Sequence, residues 1–116
     1  MSVLKIVANL ASADVEGLAA FYAELFELNI LMDHGWITML GNDALAPLQL
    51  NVASHGGSNT PVPDLSITVD DVDACHARAV ALGHKILYPL TDEPWGVRRF
   101  YVADPMGRAL NVLAHI

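Results

Sequence analysis

Basic side chains are scarce in this chain: six Lys and Arg stand against thirteen Asp and Glu, a formal charge of −7. A face able to displace counterions from phosphates is therefore missing, and nucleic acid is excluded as an expected partner. Cysteine is scarcer still. Cys75 stands alone, cannot close an internal disulfide, and suits a reducing cytoplasm, the expected compartment. Within a helix-like stretch without strongly basic neighbours it reads as a structural thiol and not as a nucleophile. No apolar run is long enough to span a bilayer. The start, MSVLKIVANL, lacks a basic n-region and reads as a first strand instead of a signal peptide, so no membrane partner is expected. The chain also lacks G-x-S-x-G and any Walker or dinucleotide fingerprint. A general base would have to be Asp64, His34 or Glu93, and the sequence shows no partner for any of them, so no catalytic residue is assigned.

What is present is apolar: 53% of residues, with only 16% charged. Such a composition excludes disorder and predicts a folded chain. At 116 residues it is one compact domain or two small half-domains sharing a core. The apolar fraction is high for a small monomer, which predicts that part of the surface is buried in a partner subunit or lines a pocket.

The chain is written twice. An apolar strand, an Asp-Val-acidic triplet and an amphipathic stretch occur first around Asp14-Val15-Glu16 and again around Asp71-Val72-Asp73, about half the chain later. In the first copy Val15, Leu18, Ala19, Tyr22, Leu25 and Phe26 follow helical spacing and predict one buried stripe. In the second, Val72, Cys75, His76, Ala79, Val80 and Leu82 do nearly the same, and Gly83 ends the helix. Three strand-like runs follow each helix: 28–32, 36–40 and 48–53, then 85–90, 97–103 and 109–114. Each module thus reads as βαβββ, the first over residues 1–53 and the second over 64–116. SHGGSNTPVP, residues 54–63, reads as a flexible linker between them.

Two βαβββ modules, the Asp-Val-Glu helix start leading to Phe21-Tyr22, and Pro94-Trp95-Gly96 followed by Asp104-Pro105-x-Gly107 together resemble the vicinal oxygen chelate superfamily. That group includes glyoxalase I, extradiol dioxygenases, fosfomycin-modifying enzymes and bleomycin-resistance proteins. The resemblance implies an α+β fold in which two βαβββ modules form a curved mixed sheet around a cavity, with short members pairing as homodimers. It also implies that metal-dependent members hold an ion with one ligand from the first and one from the last strand of each module. Here those positions fall on Val7, Gln49, Asp64 and Asn111. Valine coordinates nothing and the two amides are poor ligands for first-row transition ions, so no metal and no other cofactor is expected. The five histidines, His34, His55, His76, His84 and His115, make no metal-binding spacing among themselves.

Strand alternation gives a separate view of the same positions. One face of the key strands carries Asp64, Ser66 and Thr68, with Gln49, Asn51, Asn111, Val7 and Asn9, while the other is aliphatic. Such amides and hydroxyls must meet water, a ligand or each other. The expected ligand-binding set is Val7, Asn9, Trp36, Met39, Gln49, Asn51, Asp64, Tyr88, Trp95, Phe100 and Asn111, with Trp36 and Trp95 stacking on a flat ring as the resemblance to bleomycin-resistance proteins implies. Arg98 and Arg99 alternate in and out, and one of them would reach the pocket, to pair with Asp64 or with an anionic ligand group. The leading expectation is a metal-independent protein that sequesters an aromatic or cationic small molecule. The rival is a lyase, isomerase or dioxygenase of the same superfamily with unusual ligands, drawn from Asp64, His34 and His115.

Overall fold

The structure, a computed structural model, describes residues 1–42 and 48–116. Residues 43–47, within the expected first module, lie outside the described set. The chain separates into two compact units, Val7–Val62 and Met1–Ile6 together with Pro63–Ile116. β1 (Val3–Ala11) contributes its first residues to the second unit and the rest to the first. The expected boundary, with the whole first strand in the first module, is shifted by these six residues. The tie is specific: Ser2 N donates to Asp70 Oδ1 at 2.7 Å, and Asp70 N returns a bond to Ser2 O. The Ser2 amide bond, above all, holds the Asp70 carboxyl below its ordinary pKa.

In the first unit α1 (Val15–Phe26) is followed by β2 (Asn29–Asp33), β3 (Ile37–Gly41) and β4 (Gln49–Ala53), in the sheet order β2-β3-β4-β1. The β1–β4 pair is parallel and the others antiparallel. Asp14 caps α1, accepting from Gly17 N at 2.9 Å, and a side chain at Gly17 would collide with that carboxylate. Val15, Ala19, Leu40 and Val52 make the core where α1 meets the sheet. The predicted stripe stops short, because Leu25 and Phe26 are exposed. The stretch expected as a flexible linker is instead folded back on itself in its first part: Gly56 N donates to Thr60 O, and Thr60 Oγ1 to Gly57 O at 2.7 Å. Gly57, Ser58 and Asn59 take positive φ there, where a small or amide side chain is favoured.

The second unit repeats the plan with β5 (Leu65–Val69), α2 (Val72–Ala81), β6 (Ile86–Glu93), β7 (Val97–Ala103) and β8 (Ala109–His115), in the order β5-β8-β7-β6. β5 and β8 run parallel, and the other pairs antiparallel. Asp71 caps α2 through Ala74 N. Gly83, at φ 77°, ends it while His84 N reaches back to Ala79 O. Val69, Val72, Ala79, Phe100 and Val112 form the core beneath α2, whereas Val80 and Leu82, expected in the buried stripe, are exposed. β8 is aimed by the preceding turn. Asp104 Oδ1 accepts from Met106 N and Arg108 N, both at 2.9 Å, and these bonds with the Arg108 guanidinium hold its carboxyl below the ordinary value.

Candidate functional site

Each unit turns one sheet face to its helix and fills the other with polar or aromatic side chains. In the first unit the register sets Asn9 beside Asn51 and Asn51 beside Met39. Gln49 Nε2 donates to Asn51 Oδ1 at 3.1 Å, and Asn51 Nδ2 donates to Asn9 Oδ1 at 2.8 Å. A chain of amides of this kind has a fixed direction, since each group gives one bond and takes another. Val7 is buried. Trp36 stacks on His55, with ring centres 5.0 Å apart and planes 16° from parallel.

In the second unit one row crosses all four strands. Ser66 is registered with Asn111, Asn111 with Tyr101, and Tyr101 with Tyr88. Asn111, 8% exposed, donates from Nδ2 to Ser66 Oγ at 3.1 Å. Its Oδ1 is buried without a hydrogen-bond partner among the described residues. A buried amide oxygen left in this state costs free energy that a ligand donor would return.

Against Tyr101, the residue registered with Asn111, sits a buried cation. Arg99, 3% exposed, pairs through Nη2 with Glu93 Oε2 at 3.0 Å, and Glu93 is itself only 5% exposed. The guanidinium lies 5.0 Å from the ring centres of Trp95 and Tyr101 and 5.2 Å from that of Tyr88. Each distance is within reach of a cation–π attraction. Tyr88 Oη donates to Glu93 Oε1 at 2.9 Å, and Arg99 Nη1 contacts Tyr101 Oη at 3.1 Å. Two register shifts in β6, on either side of Tyr88, break strict alternation and let Tyr88 and Glu93 converge on the same group.

Several expected residues stand elsewhere. Arg99, not Arg98, faces inward, and its carboxylate is Glu93; of the two expected partners, Asp64 and an anionic ligand group, Asp64 is not the one it holds. Glu93 therefore does have partners, although the sequence showed none. Arg98 lies on the helix side, spanning Asp73 and Asp92 at 2.9 Å each. Asp64 is exposed and accepts from Ala109 N at 3.0 Å, fastening the start of β5 to β8. Phe100, expected on the ligand face, is 0% exposed in the core under α2, because it is one residue out of phase with Arg99 and Tyr101. His76 meets the Phe100 ring edge-on at 4.9 Å. Tyr101 was missed altogether. The signal was available, since alternation through Phe100 and Val102, which continue the aliphatic face, assigns Arg99 and Tyr101 to the other one.

The four positions at which the resemblance implies metal ligands do not fit an ion of the family's kind. Val7 offers carbon, Gln49 and Asn111 offer only neutral amide oxygens, and the Asp64 carboxylate holds a backbone amide. Among the described residues no three His, Cys, Asp or Glu side chains gather as a metal site would require. Nor is any helix among them long and apolar enough to cross a membrane.

The element order and the two four-strand halves of the sheet define an α+β fold of two βαβββ units. Residues 5–112 match the family model "Glyoxalase/Bleomycin resistance protein/Dioxygenase superfamily", and the chain is a member of that superfamily. It is 41% identical over 69 residues to an uncharacterised protein of Mycobacterium tuberculosis, a match covering 60% of this chain and 36% of that one. The chain thus spans little more than a third of the curated relatives it matches. In fold it is similar to a structure described as an NAD-dependent benzaldehyde dehydrogenase from Legionella pneumophila (TM-score 0.78, 15% identity, 97% and 100% of the two chains covered). It is likewise similar to a superfamily member from Vibrio splendidus (TM-score 0.69, 15% identity, 97% and 99% covered).

Proposed function

We propose that this superfamily member is a metal-independent protein that binds and sequesters an aromatic small molecule on its polar sheet faces. The observation that carries this reading is Asn111. A core strand position holds an amide whose oxygen is buried and unsatisfied, in the row of Tyr101 and Tyr88, with Trp95 joined to those rings through Arg99. A ring bearing an N–H or O–H donor would satisfy Oδ1 while lying against those aromatics. Of the two ligand characters expected, aromatic is favoured over cationic, because the Arg99 guanidinium already takes the cation's place between the rings. A homodimer belongs to the same reading, supported by Phe21, Leu25 and Phe26 exposed along α1. Light scattering would then give twice the 12.5 kDa chain mass.

The test combines a ligand titration with a metal titration. Acridone, flat and neutral with a ring N–H, is expected to quench tryptophan fluorescence at 1:1 stoichiometry. The Asn111→Leu variant is expected to fold with unchanged or slightly raised stability, since the orphaned oxygen is gone, yet to bind acridone roughly tenfold or more weakly, the worth of one buried hydrogen bond. Equal binding by the variant would remove Asn111 from the site. Zinc, nickel, manganese and ferrous iron should neither co-purify nor raise the melting temperature. One tightly held ion per chain would favour the rival reading of a lyase, isomerase or dioxygenase with unusual ligands.

A further inference from the structure

On the opposite side of the second unit's sheet, under α2, the packing is incomplete. A cavity of about 300 Å³ opens there, walled by Ile67 on β5, Phe100 on β7, Leu110 on β8 and Leu82 just past the helix. That volume is at the lower end of small-ligand sites, which run from about 300 Å³ upward. The ionisable side chains lining it are Cys75, Arg78 and His84. Among the described residues no Asp or Glu contributes to the wall.

Arg78 is the informative member. Arg98, Arg99 and Arg108 each hold a carboxylate of this chain. Arg78, in the last turn of α2, forms no ion pair among the described residues. An apolar hollow with an uncommitted guanidinium on its wall, and without a carboxylate, is complementary to an amphiphile of opposite charge. A hydrocarbon chain would fill the space that α2 leaves and be removed from water there. Its anionic head would meet Arg78 in a charge-assisted bond. The carbonyl end of α2 disfavours an anion; Arg78, together with the amino group of Met1, which also lines the cavity, offsets that.

We propose that this cavity is a second binding site, separate from the polar sheet faces, for a medium-chain alkyl carboxylate whose chain lies on Ile67, Val102 and Leu110 and whose head pairs with Arg78. The chain supplies its own reporter. Cys75 is a half-buried wall residue and the molecule's single thiol, and burial raises its pKa above the ordinary value, so that it alkylates slowly and depends on access.

Decanoate, below its micellar concentration, is the probe. At saturation it is expected to slow N-ethylmaleimide labelling of Cys75, followed by mass spectrometry at mildly alkaline pH, by about tenfold, with a 1:1 calorimetric stoichiometry. Arg78→Glu, on an exposed position, should fold normally and bind decanoate roughly tenfold or more weakly, the cost of losing one charge-assisted contact. Decyltrimethylammonium, of equal chain length and opposite charge, should protect poorly. An unchanged labelling rate with decanoate would overturn the proposal. So would equal protection by the cationic amphiphile, or full protection in Arg78→Glu, since either would show contact with apolar surface without head-group recognition. Asn111→Leu should leave decanoate binding intact, so that failure here and failure of the polar-face reading are told apart.

Discussion

Glu93→Ala is expected to lower the free energy of unfolding by about 3–5 kcal/mol, the range for breaking a buried ion pair from one side. The loss does not measure what the pair contributes. Removing Glu93 leaves the Arg99 guanidinium 3% exposed with its carboxylate gone, and the folded state must then hold a charge that water would solvate far better. The three surrounding rings offset only part of this, because each cation–π contact is worth about 0.5–2 kcal/mol. Tyr88 also loses the acceptor of its hydroxyl. The double variant Glu93→Leu with Arg99→Met should recover most of the stability, since an apolar pair of similar volume needs no desolvation to be compensated. Denaturant unfolding of the three proteins decides the matter. A loss of less than about 1 kcal/mol in Glu93→Ala would mean that water reaches the guanidinium, as at exposed ion pairs. The double variant bears on function too. If it is stable but quenches no longer with acridone, the ion pair serves to hold Tyr88, Trp95 and Tyr101 in place for a ligand.

Much of this arrangement could be read from residue order, and the parts that could not have identifiable causes. Both helix starts were legible because Asp14 and Asp71 are caps with an acidic residue two positions on, and the structure uses both carboxylates in that way. The amide-bearing face was legible because β4, β5 and β8 keep strict alternation, so that Gln49, Asn51, Ser66 and Asn111 could be assigned to one side by counting in twos. β6 defeats such counting. Its register shifts around Tyr88 bring side chains of unequal phase to one place, and the Glu93–Arg99 pair joins two strands whose contact no spacing reveals. The turn at 56–60 was misread for a related reason. Glycine and serine suggest freedom, yet here the positive φ of Gly57, Ser58 and Asn59 is fixed by bonds that Thr60 makes back to Gly57. Leu25 and Phe26 continue a helical stripe in sequence, but that spacing identifies a face without saying where along it the packing against the sheet stops.

Phe100→Ala is expected to lower stability by about 3–5 kcal/mol, while Tyr101→Phe, at the next residue, should lower it by about 1 kcal/mol. The difference follows from a single step along β7. Phe100 points at α2, wholly buried among Val69, Val72, Ala79 and Val112, with His76 against its edge, and truncation there leaves a hole that the helix cannot close. Tyr101 points the other way, and its hydroxyl contacts Arg99 at 3.1 Å. Its conversion to phenylalanine keeps the ring and removes that one polar contact. Ligand effects should follow the same division. Tyr101→Phe is expected to alter acridone binding on the polar face and leave decanoate protection of Cys75 unchanged. Phe100→Ala enlarges the cavity under α2, and at temperatures where it remains folded it should alter decanoate binding and leave acridone quenching in place. Thermal unfolding and the two binding assays, run on both variants, test whether the faces of one strand serve separate sites. If Phe100→Ala removed acridone quenching while the protein stayed folded, the division between the faces would fail, and Phe100 would return to the aromatic ligand site that the sequence first suggested.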